Sequence, residues 1–443
     1  METDPLHDQI FYVYGLGASG LAVADHLKSK GARVWTGDDG PARHPALPFV
    51  PSDEVDWAKV DVLVPAPGLP HSHHVVQQAL QQNIVVLGEC EIYAWSLLLS
   101  DQAPRVVAVT GTNGKSTVTA LIAHILNNKE NKVVAGGNLG VPLLKLDMGA
   151  DIHVVELSSF QLDLQTSFAA DVAVLTNLGV DHLDRHGTVE YYHQAKLTLF
   201  QQTGIQGGRL VLPSQDLPSL GWVEEGKLSP VGCFYVGEGH PQSALYFDGD
   251  CLVHQGRSLP VVIPLSLKGE HNKQNILNAL AAGLCLGYDL ENLLVKLASF
   301  PGLEHRLEYL GAKRGVQFVN DSKATNATSA CWALRAWPNA YWLVGGLAKK
   351  EDYQPLVDVA RDMHARAFCF GHDGAMLAGL LDGSVPTRLC DTLDEAFKLA
   401  TQQAICDGGG VVLLAPGCAS FDAFEHFAHR GQFFKDLVRG ETW

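Results

Sequence analysis

The stretch VTGTNGKSTVT, Val109 to Thr119, decides how the rest of the chain is interpreted. It lies between an apolar strand candidate, RVVAV, and a helix candidate with its apolar residues on one face. This order is typical of a phosphate-binding loop, because glycines let backbone N–H groups converge on an anion and the helix N-terminus adds partial positive charge. Lys115 is then expected to reach the terminal phosphates, and Ser116 to ligate Mg²⁺.

The strict spacing G-x-x-x-x-G-K-[ST] is not met, because Val109 stands in place of the first glycine. An ordinary strand-to-helix turn with a surface lysine therefore remains the alternative interpretation.

Similar strand candidates that run into glycine- or proline-bearing loops occur on both sides of this stretch. They are IFYVYG, ARVW, DVLVPAPG and IVVLGE in the first hundred residues, and QFVN, YWLV, AFCF and VVLL in the last third. Helical segments lie between them, whereas residues 207–264 are rich in strands and turns and predict an antiparallel excursion.

We therefore predict an α/β protein of three domains. The first is a Rossmann-like N-terminal domain at 1–100. The second is a P-loop-type ATPase central domain at 101–303, with a parallel sheet and a small β excursion. The third is a Rossmann-like C-terminal domain at 304–443.

The composition excludes several classes of protein. With 47% hydrophobic residues the chain should be globular, and a formal net charge of −16 disfavours nucleic acid as a partner. METDPLHDQ has no basic region followed by an apolar run, and nowhere do eighteen apolar residues follow one another. We expect neither a signal peptide nor a membrane span, and thus a cytoplasmic protein. Nine cysteines without a C-x-x-C pair suit reduced thiols better than a zinc site.

Two polar residues are expected beside the glycine-rich loop. Glu156 closes the strand candidate HVVEL, and His182 follows DVAVLT, so a parallel sheet would place both at the same edge as the loop. Carboxylate and imidazole suit Mg²⁺ or Mn²⁺ that bridges phosphate oxygens. Alone, each is more often solvated; together with the loop they favour metal binding.

One lysine contradicts its surroundings. In YYHQAKLTLF, Tyr191 to Phe200, helical spacing puts Lys196 on a stripe of apolar residues. Periodicity alone favours a snorkelling lysine, whose stem covers apolar surface while its ammonium reaches water. The alternative is a buried lysine with a lowered pKa.

The first domain carries Gly15-x-Gly17-x-x-Gly20 after IFYVY, with Asp38 and Asp39 about twenty residues on. This pattern fits a dinucleotide-binding fingerprint. An NAD-dependent oxidoreductase, with the 111–117 loop as a mere turn, is thus a second function to consider.

Taken together, the motifs resemble the Mur ligases of peptidoglycan synthesis, and most of all their glutamate-adding members. The resemblance covers essentially the whole chain. It rests on TGTNGKST, GGNLG at 136–140, ELSSFQL at 156–162, DHLDRH at 181–186, YHQAKLTLF, GEHNKQN at 269–275, HR at 305–306, NDSKATN and PGCASFDAF.

The resemblance implies an ATP-dependent amide ligase. It would phosphorylate the carboxylate of UDP-MurNAc-L-alanine, and the amine of D-glutamate would attack the resulting acyl phosphate. Two Mg²⁺ ions, or Mn²⁺, would assist, and the protein would be a monomer that supplies cell-wall precursors for cell shape and division.

The resemblance also implies roles for individual residues. Catalysis would involve Lys115, Asn138, His182 and Lys196, the last carbamylated by CO₂. The metal ligands would be Ser116, Glu156, His182 and Lys196. ATP would be bound by Gly111, Thr112, Asn113, Gly114, Lys115, Ser116, Thr117, Asn272, Asn275, Arg306 and Asp321. The UDP substrate would meet Ala18, Ser19 and Gly68, and glutamate would meet Lys323, Thr325, Lys349, Ser420 and Phe427.

The sequence leaves other functions open. A ligase of the same superfamily could add another amino acid or act on a folate, although the GTNGKGS form is absent and the resemblance implies a first domain of the UDP type. The oxidoreductase would leave Lys196, His182 and NDSKATN unexplained. The sequence does not fix the enantiomer of glutamate, because both enantiomers offer the same groups.

Overall fold

The computed structural model describes residues 9–138, 140–238, 240 and 242–440. Leu139 of the GGNLG run and most of METDPLHDQ lie outside this range. The chain divides into two compact units: residues 1–261 with 274–297, and residues 262–273 with 298–443. No helix in the described ranges is long and apolar enough to cross a membrane.

A four-stranded parallel sheet occupies the beginning of the first unit. Its strands are β1 (Ile10–Tyr14), β2 (Arg33–Gly37), β3 (Val62–Pro65) and β4 (Val85–Val86), in the order β2-β1-β3-β4. Its helices are α1 (Ala18–Ser29), α2 (His74–Gln81) and α3 (Glu89–Leu98). The strand β1 is buried along its whole length, as expected for the centre of a sheet covered on both faces.

The first glycine-rich loop turns directly from β1 into α1. A Cβ placed on Gly20 would lie 1.9 Å from the Gly15 carbonyl oxygen, so only glycine fits there. The carboxylate of Asp38, just after β2, accepts a hydrogen bond from the Leu16 N–H at 2.5 Å.

A nine-stranded sheet forms the rest of the first unit. Its strands are β5 (Arg105–Thr110), β6 (Val133–Gly137), β7 (Ile152–Glu156), β8 (Val172–Leu175), β9 (Arg209–Pro213), β10 (Cys233–Val236), β11 (Ser243–Asp248), β12 (Cys251–His254) and β13 (Arg257–Pro260). The strand order is β13-β12-β11-β10-β9-β8-β5-β7-β6. The helices are α4 (Lys115–Leu126), α5 (Ser159–Leu162), α6 (Leu183–His186), α7 (Val189–Ile205), α8 (Leu217–Glu224), α9 (Glu270–Cys285) and α10 (Leu290–Leu297). The first four residues of α9 belong to the second unit.

The predicted antiparallel excursion over 207–264 is only partly right. The strands β9 and β10 extend the parallel sheet from β8, and among the described residues of this range only the pairs β11–β12 and β12–β13 are antiparallel. The short turns at Gly249 and Gly256, both with positive φ, reverse the chain between these strands. Short glycine turns of this kind can be predicted from the sequence, whereas the strands that pair with β9, which are β8 and β10, cannot.

The second unit contains a six-stranded sheet. Its strands are β14 (Glu308–Lys313), β15 (Val316–Asn320), β16 (Tyr341–Gly345), β17 (Arg366–Phe370), β18 (Thr387–Leu389) and β19 (Gly410–Leu414), in the order β14-β15-β19-β16-β17-β18. The edge strand β14 is antiparallel and the others are parallel. The helices are α11 (Ala327–Ala336), α12 (Gln354–Asp362), α13 (Gly374–Leu381), α14 (Leu393–Cys406) and α15 (Phe427–Arg439).

The predicted α/β architecture with parallel sheets is confirmed. The three sheets span residues 10–86, 105–260 and 308–414, and the first two share one compact unit. The exact domain limits at residues 100 and 303 stay predictions.

Candidate active site

The glycine-rich loop between β5 and α4 has a backbone that only glycine tolerates. Gly111 has φ +140°, and a Cβ on it would lie 2.0 Å from the Thr176 hydroxyl oxygen. Gly114 has φ +83° and is the N-cap residue of α4. The Lys115 Nζ donates to the carbonyls of Gly111 at 3.0 Å and Thr112 at 2.8 Å, so its ammonium lies over the loop. The amide-rich turn at a helix N-terminus is suited to an anion.

The loop is fastened to the neighbouring strand ends. The N–H of Thr112 donates to the Asn177 carbonyl at 2.9 Å, and the N–H of Asn113 donates to the Asn177 side-chain oxygen at 3.1 Å. The Thr112 hydroxyl accepts from the Gly179 N–H at 2.8 Å and lies 3.1 Å from the Tyr192 hydroxyl. Ser116 is buried and Thr117 is partly buried in the first turn of α4.

Glu156 ends β7, which is the parallel neighbour of β5, so its predicted place beside the loop is confirmed. Its side chain is 2% exposed, and one oxygen, Oε1, accepts from the Asn138 Nδ2 at 2.6 Å. The other oxygen, Oε2, is buried and has no hydrogen-bond partner among the described residues. A buried carboxylate oxygen without a partner is costly, so it points to a missing cation or donor.

His182 follows β8, the other parallel neighbour of β5, and is the N-cap residue of α6 with φ 52°. Its ring is half exposed and lies 4.8 Å from the Phe160 ring and 6.2 Å from the Tyr192 ring, between centroids. Within the described part of the chain, no group of three or more His, Cys, Asp or Glu residues could hold a metal by itself. The expected set contains only two such residues, His182 and Glu156, and would need a hydroxyl, phosphate oxygens and a modified lysine.

Lys196 does not snorkel. It lies on α7 with 1% of its surface exposed, and its Nζ is 4.4 Å from the centre of the Tyr192 ring. Burial lowers its pKa to about 7, and the charge of Lys115 adds to this effect, against a weaker opposing effect of Asp181. A substantial fraction of the amine is therefore neutral at physiological pH.

The two asparagines expected at adenine lie in different compact units. Asn275, in the first unit, is buried, and its Oδ1 would be 2.5 Å from a Cβ placed on Gly114, so it adjoins the loop. Asn272, in the second unit, is buried and donates from Nδ2 to the Lys268 carbonyl at 3.2 Å.

The residues expected at the UDP moiety lie at the carboxyl edge of the first sheet. Ala18 begins α1, and Gly68 is exposed after β3. Ser19 is hydrogen-bonded to Glu89, a carboxylate that is 2% exposed; burial raises the pKa of Glu89 although this bond opposes the effect. Glu89 also accepts from the Leu143 N–H at 2.9 Å, which connects this edge to the central sheet.

In the second unit, Asp321 follows β15 and lies near Arg306. The Asp321 Oδ1 accepts from the Leu307 N–H at 3.2 Å, and burial raises the pKa of Asp321 to about 7, with Arg306 opposing. The two residues are thus close, as expected for a shared ligand.

Four of the residues expected at glutamate, Lys323, Thr325, Lys349 and Ser420, lie in loops that follow three adjacent parallel strands, β15, β19 and β16, and Phe427 begins α15. The Lys323 Nζ is 3.9 Å from the centre of the Phe427 ring. Lys349 is exposed and its N–H donates to the Tyr353 hydroxyl at 3.2 Å. Ser420 is 2% exposed, and Thr325 is partly buried. Their roles stay predictions.

Arg430 was missed by the sequence analysis. It is fully buried, and its guanidinium donates to the hydroxyl and carbonyl of Ser322 at 3.0 Å and to the carbonyls of Cys418 at 3.1 Å and Ala419 at 3.3 Å. One side chain therefore holds the loops of Lys323 and Ser420 together. An arginine in the polar helix segment HRGQFFK gave no signal of this burial.

Comparisons with known proteins find similarity to Mur ligases. A family model described as the Mur ligase middle domain matches residues 109–283. The chain is 37% identical to the UDP-N-acetylmuramoylalanine–D-glutamate ligase of Nitrobacter hamburgensis, over 96% of this chain and 95% of that protein. It is 38% identical to the ligase of the same name from Mesorhizobium japonicum, over 96% and 94%.

Two solved structures share the fold. A UDP-N-acetylmuramate–alanine ligase from Thermotoga maritima matches with a TM-score of 0.60 at 18% identity, over 98% of this chain and 99% of that chain. A UDP-N-acetylmuramoylalanyl-D-glutamyl-2,6-diaminopimelate–D-alanyl-D-alanyl ligase from Acinetobacter baumannii matches with a TM-score of 0.64 at 20% identity, over 99% and 92%.

Proposed function

The chain belongs to the Mur ligase family, among the UDP-N-acetylmuramoylalanine–D-glutamate ligases, and we propose that it adds D-glutamate to UDP-N-acetylmuramoyl-L-alanine. ATP drives the reaction in the synthesis of peptidoglycan precursors. A cytoplasmic monomer is the form that we propose.

One observation supports this proposal above the others. Around a single glycine-rich loop the fold gathers an ammonium (Lys115), a buried carboxylate with one unsatisfied oxygen (Glu156), an imidazole (His182) and a buried lysine (Lys196). Loop and ammonium suit a triphosphate, and the carboxylate and the imidazole suit divalent cations, as would Lys196 once it is carbamylated. Hydride transfer by an NAD-dependent oxidoreductase would require neither a triphosphate-binding lysine nor ligands for a divalent cation.

The first step that we propose is transfer of the γ-phosphoryl group of ATP to the carboxylate of the UDP substrate. A carboxylate is a poor electrophile, and phosphorylation supplies a leaving group. The loop amides of 111–114 hold the phosphate tail, and the Lys115 ammonium offsets the charge that gathers on the transferring group. Asn138, positioned by Glu156, offers its amide near the site of transfer.

Magnesium fits the residues that are present. Glu156, with its unsatisfied Oε2, and the hydroxyl of Ser116 would hold one ion, and His182 with a carbamylated Lys196 would hold the second. When bound, the ions would neutralise the negative charge of the phosphate groups in the transition state. Carbamylation requires a neutral amine, and the lowered pKa of Lys196 provides it.

The second step is attack of the neutral glutamate amine on the acyl carbon, which forms the amide bond, breaks the bond from that carbon to the phosphate oxygen and releases inorganic phosphate and a proton. Glutamate carries two carboxylates, so its site should supply cations and hydroxyls, and we assign these to Lys323, Lys349, Thr325 and Ser420. The Lys323 ammonium lies 3.9 Å from the centre of the Phe427 ring, and this cation–π contact would limit its direction. Arg306 and Asp321 would secure the nucleotide, together with Asn272 and Asn275.

A panel of acceptors tests the function. Phosphate release is measured with ATP, Mg²⁺, UDP-MurNAc-L-alanine and either D-glutamate, L-glutamate or another amino acid. Release that depends on D-glutamate is the expected result. Release that depends on another acceptor would assign the chain to a different amide ligase, and no release with any acceptor would refute ligase activity.

A further inference from the structure

A second arginine connects the first sheet to the central sheet. Arg185 lies on α6, three residues after His182, and its side chain is only 6% exposed. One nitrogen, Nη1, donates to the Leu69 carbonyl in the loop after β3, and Nη2 lies 3.5 Å from the Asp163 Oδ2. Arg185 therefore bridges the loop 66–71 and the C-terminal cap of α5.

His71 also contacts the Asp163 carboxylate. The Nε2 of His71 lies 2.5 Å from the Asp163 Oδ2, so the loop 66–71 is fixed at two points, by its carbonyl at Leu69 and its ring at His71. Burial alone would raise the pKa of Asp163, but the hydrogen bond from His71 and the charges of His71, His186 and Arg185 hold it below its ordinary value. The Asp163 carboxylate is thus ionised at neutral pH and can bind both His71 and Arg185.

Arg185 also contacts the surroundings of His182. Its guanidinium carbon is 5.6 Å from the centre of the Phe160 ring, and the rings of His182, at 4.8 Å, and His186, at 5.8 Å between centroids, also lie beside Phe160. A cation over an aromatic face is attractive at this distance. The position of the His182 loop is therefore coupled to the same guanidinium that holds Leu69.

The loop 66–71 adjoins the first glycine-rich loop. The Ala66 N–H donates to the Tyr14 carbonyl at 2.7 Å, and a Cβ on Gly15 would lie 2.6 Å from the Ala66 Cβ. Both loops follow neighbouring parallel strands, β1 and β3, at the edge where ligands bind in open α/β sheets.

We propose that Arg185 is a positioning residue for the nucleotide-linked substrate. By tying the loop 66–71 to Asp163 and to the His182 loop, it sets the distance between the edge that binds the UDP end and the site where the acyl group is phosphorylated. This inference rests on the proposed function, because it needs a substrate that occupies both places.

The test compares two conservative variants at the same junction. Arg185→Lys keeps the charge but loses the planar fork that reaches Leu69 and Asp163 together. The control is Lys145→Met, which breaks a more exposed ion pair between the same two sheets, from Lys145 Nζ to Asp25 Oδ2 at 2.5 Å. KM is measured for each of the three substrates, UDP affinity is measured by calorimetry, and the thermal unfolding midpoint serves as a check of folding.

For Arg185→Lys we expect KM for UDP-MurNAc-L-alanine and Kd for UDP to rise by about tenfold, because a misplaced binding loop acts on this ligand alone. The KM values for ATP and D-glutamate should stay within about twofold, and Lys145→Met should leave all values within about twofold. Should Arg185→Lys not fold, Asp163→Asn, which keeps the shape of the side chain, should show the same selective rise.

Two results would overturn the inference. One is an unchanged KM for the UDP substrate in Arg185→Lys. The other is an equal change of all three KM values together with a lower unfolding midpoint, which a purely structural role would give. If wild-type protein releases no phosphate with D-glutamate, the proposed function fails, and the calorimetric comparison with UDP still decides whether Arg185 positions the loop.

Discussion

Replacing Lys196 by methionine should make the protein more stable and less active. Methionine has a similar length and no charge, so it fills the buried space beside the Tyr192 ring without placing a charge in the interior. The wild-type lysine is 1% exposed, with a pKa of about 7.

The magnitude follows from this pKa. One pKa unit corresponds to about 1.4 kcal/mol, so the fall from 10.5 to about 7 means that a charged Lys196 costs the fold roughly 5 kcal/mol. Between pH 7 and 10.5 the unfolded chain retains a proton that the folded chain has released. The unfolding free energy should therefore rise with pH across this window, with a slope approaching about 1.4 kcal/mol per pH unit, and should be flat below it.

The assay is urea-induced unfolding of wild-type protein and Lys196→Met in CO₂-free buffers from pH 6 to 10. Subtracting the two curves cancels the other titrating groups. The variant should be more stable by a few kcal/mol at pH 7, and the difference should shrink towards pH 10. Its ligase activity should fall by about a hundredfold or more if the lysine helps to hold a metal.

Lys132→Met serves as the control, because Lys132 is an exposed lysine paired with Asp147. It should change neither the pH profile nor the activity. If the unfolding free energies of the wild-type protein and Lys196→Met changed with pH in parallel, the predicted burial of the Lys196 amine would be refuted. Full activity of Lys196→Met, with no mass adduct on wild-type protein at high bicarbonate, would refute the carbamate.

Three further outcomes are expected. Lys115→Ala should reduce single-turnover phosphate transfer at least about a hundredfold, because charge on the transferring group is left uncompensated; undiminished transfer, measured by rapid quench, would contradict this. Gly111→Ala should lower the unfolding midpoint and weaken ATP binding, since its φ of +140° and the 2.0 Å approach to Thr176 exclude a Cβ; a variant with normal calorimetric ATP affinity would argue against it. Asp321→Asn should weaken ATP binding. The wild-type protein should lose unfolding free energy as pH rises from about 4 to 7, because the pKa of Asp321 is about 7 in the folded state and lower in the unfolded state, and the variant should lack this loss. If the substitution shifted the thermal unfolding midpoint equally at pH 5 and pH 8, the result would be inconsistent with this expectation.

The sequence was most informative where structure is local. Strand candidates such as IFYVYG and YWLV, each ending in a glycine-bearing loop, correspond to β1 and β16. The strand, turn and helix around Lys115 were predicted for the same reason, because short-range spacing determines them.

The sequence was least informative where partners are distant along the chain. The edge strands β14 and β18 escaped notice, being partly exposed and short on apolar residues. Periodicity favoured a snorkelling Lys196, because a helical stripe does not tell how completely the neighbouring strands and loops cover it. The contacts of Arg430 and Arg185 join segments up to 116 residues apart, and no local pattern encodes them.

The anchoring of Arg430 has a consequence for how the enzyme responds to salt. Its guanidinium is fully buried, and its hydrogen bonds end on a hydroxyl and three carbonyl oxygens. Dissolved ions screen charges that water can reach, and they hardly weaken dipoles enclosed by protein. The two loops that it joins should thus keep their spacing at high salt as in dilute buffer, so a decline in turnover with ionic strength would originate at charged groups that water reaches.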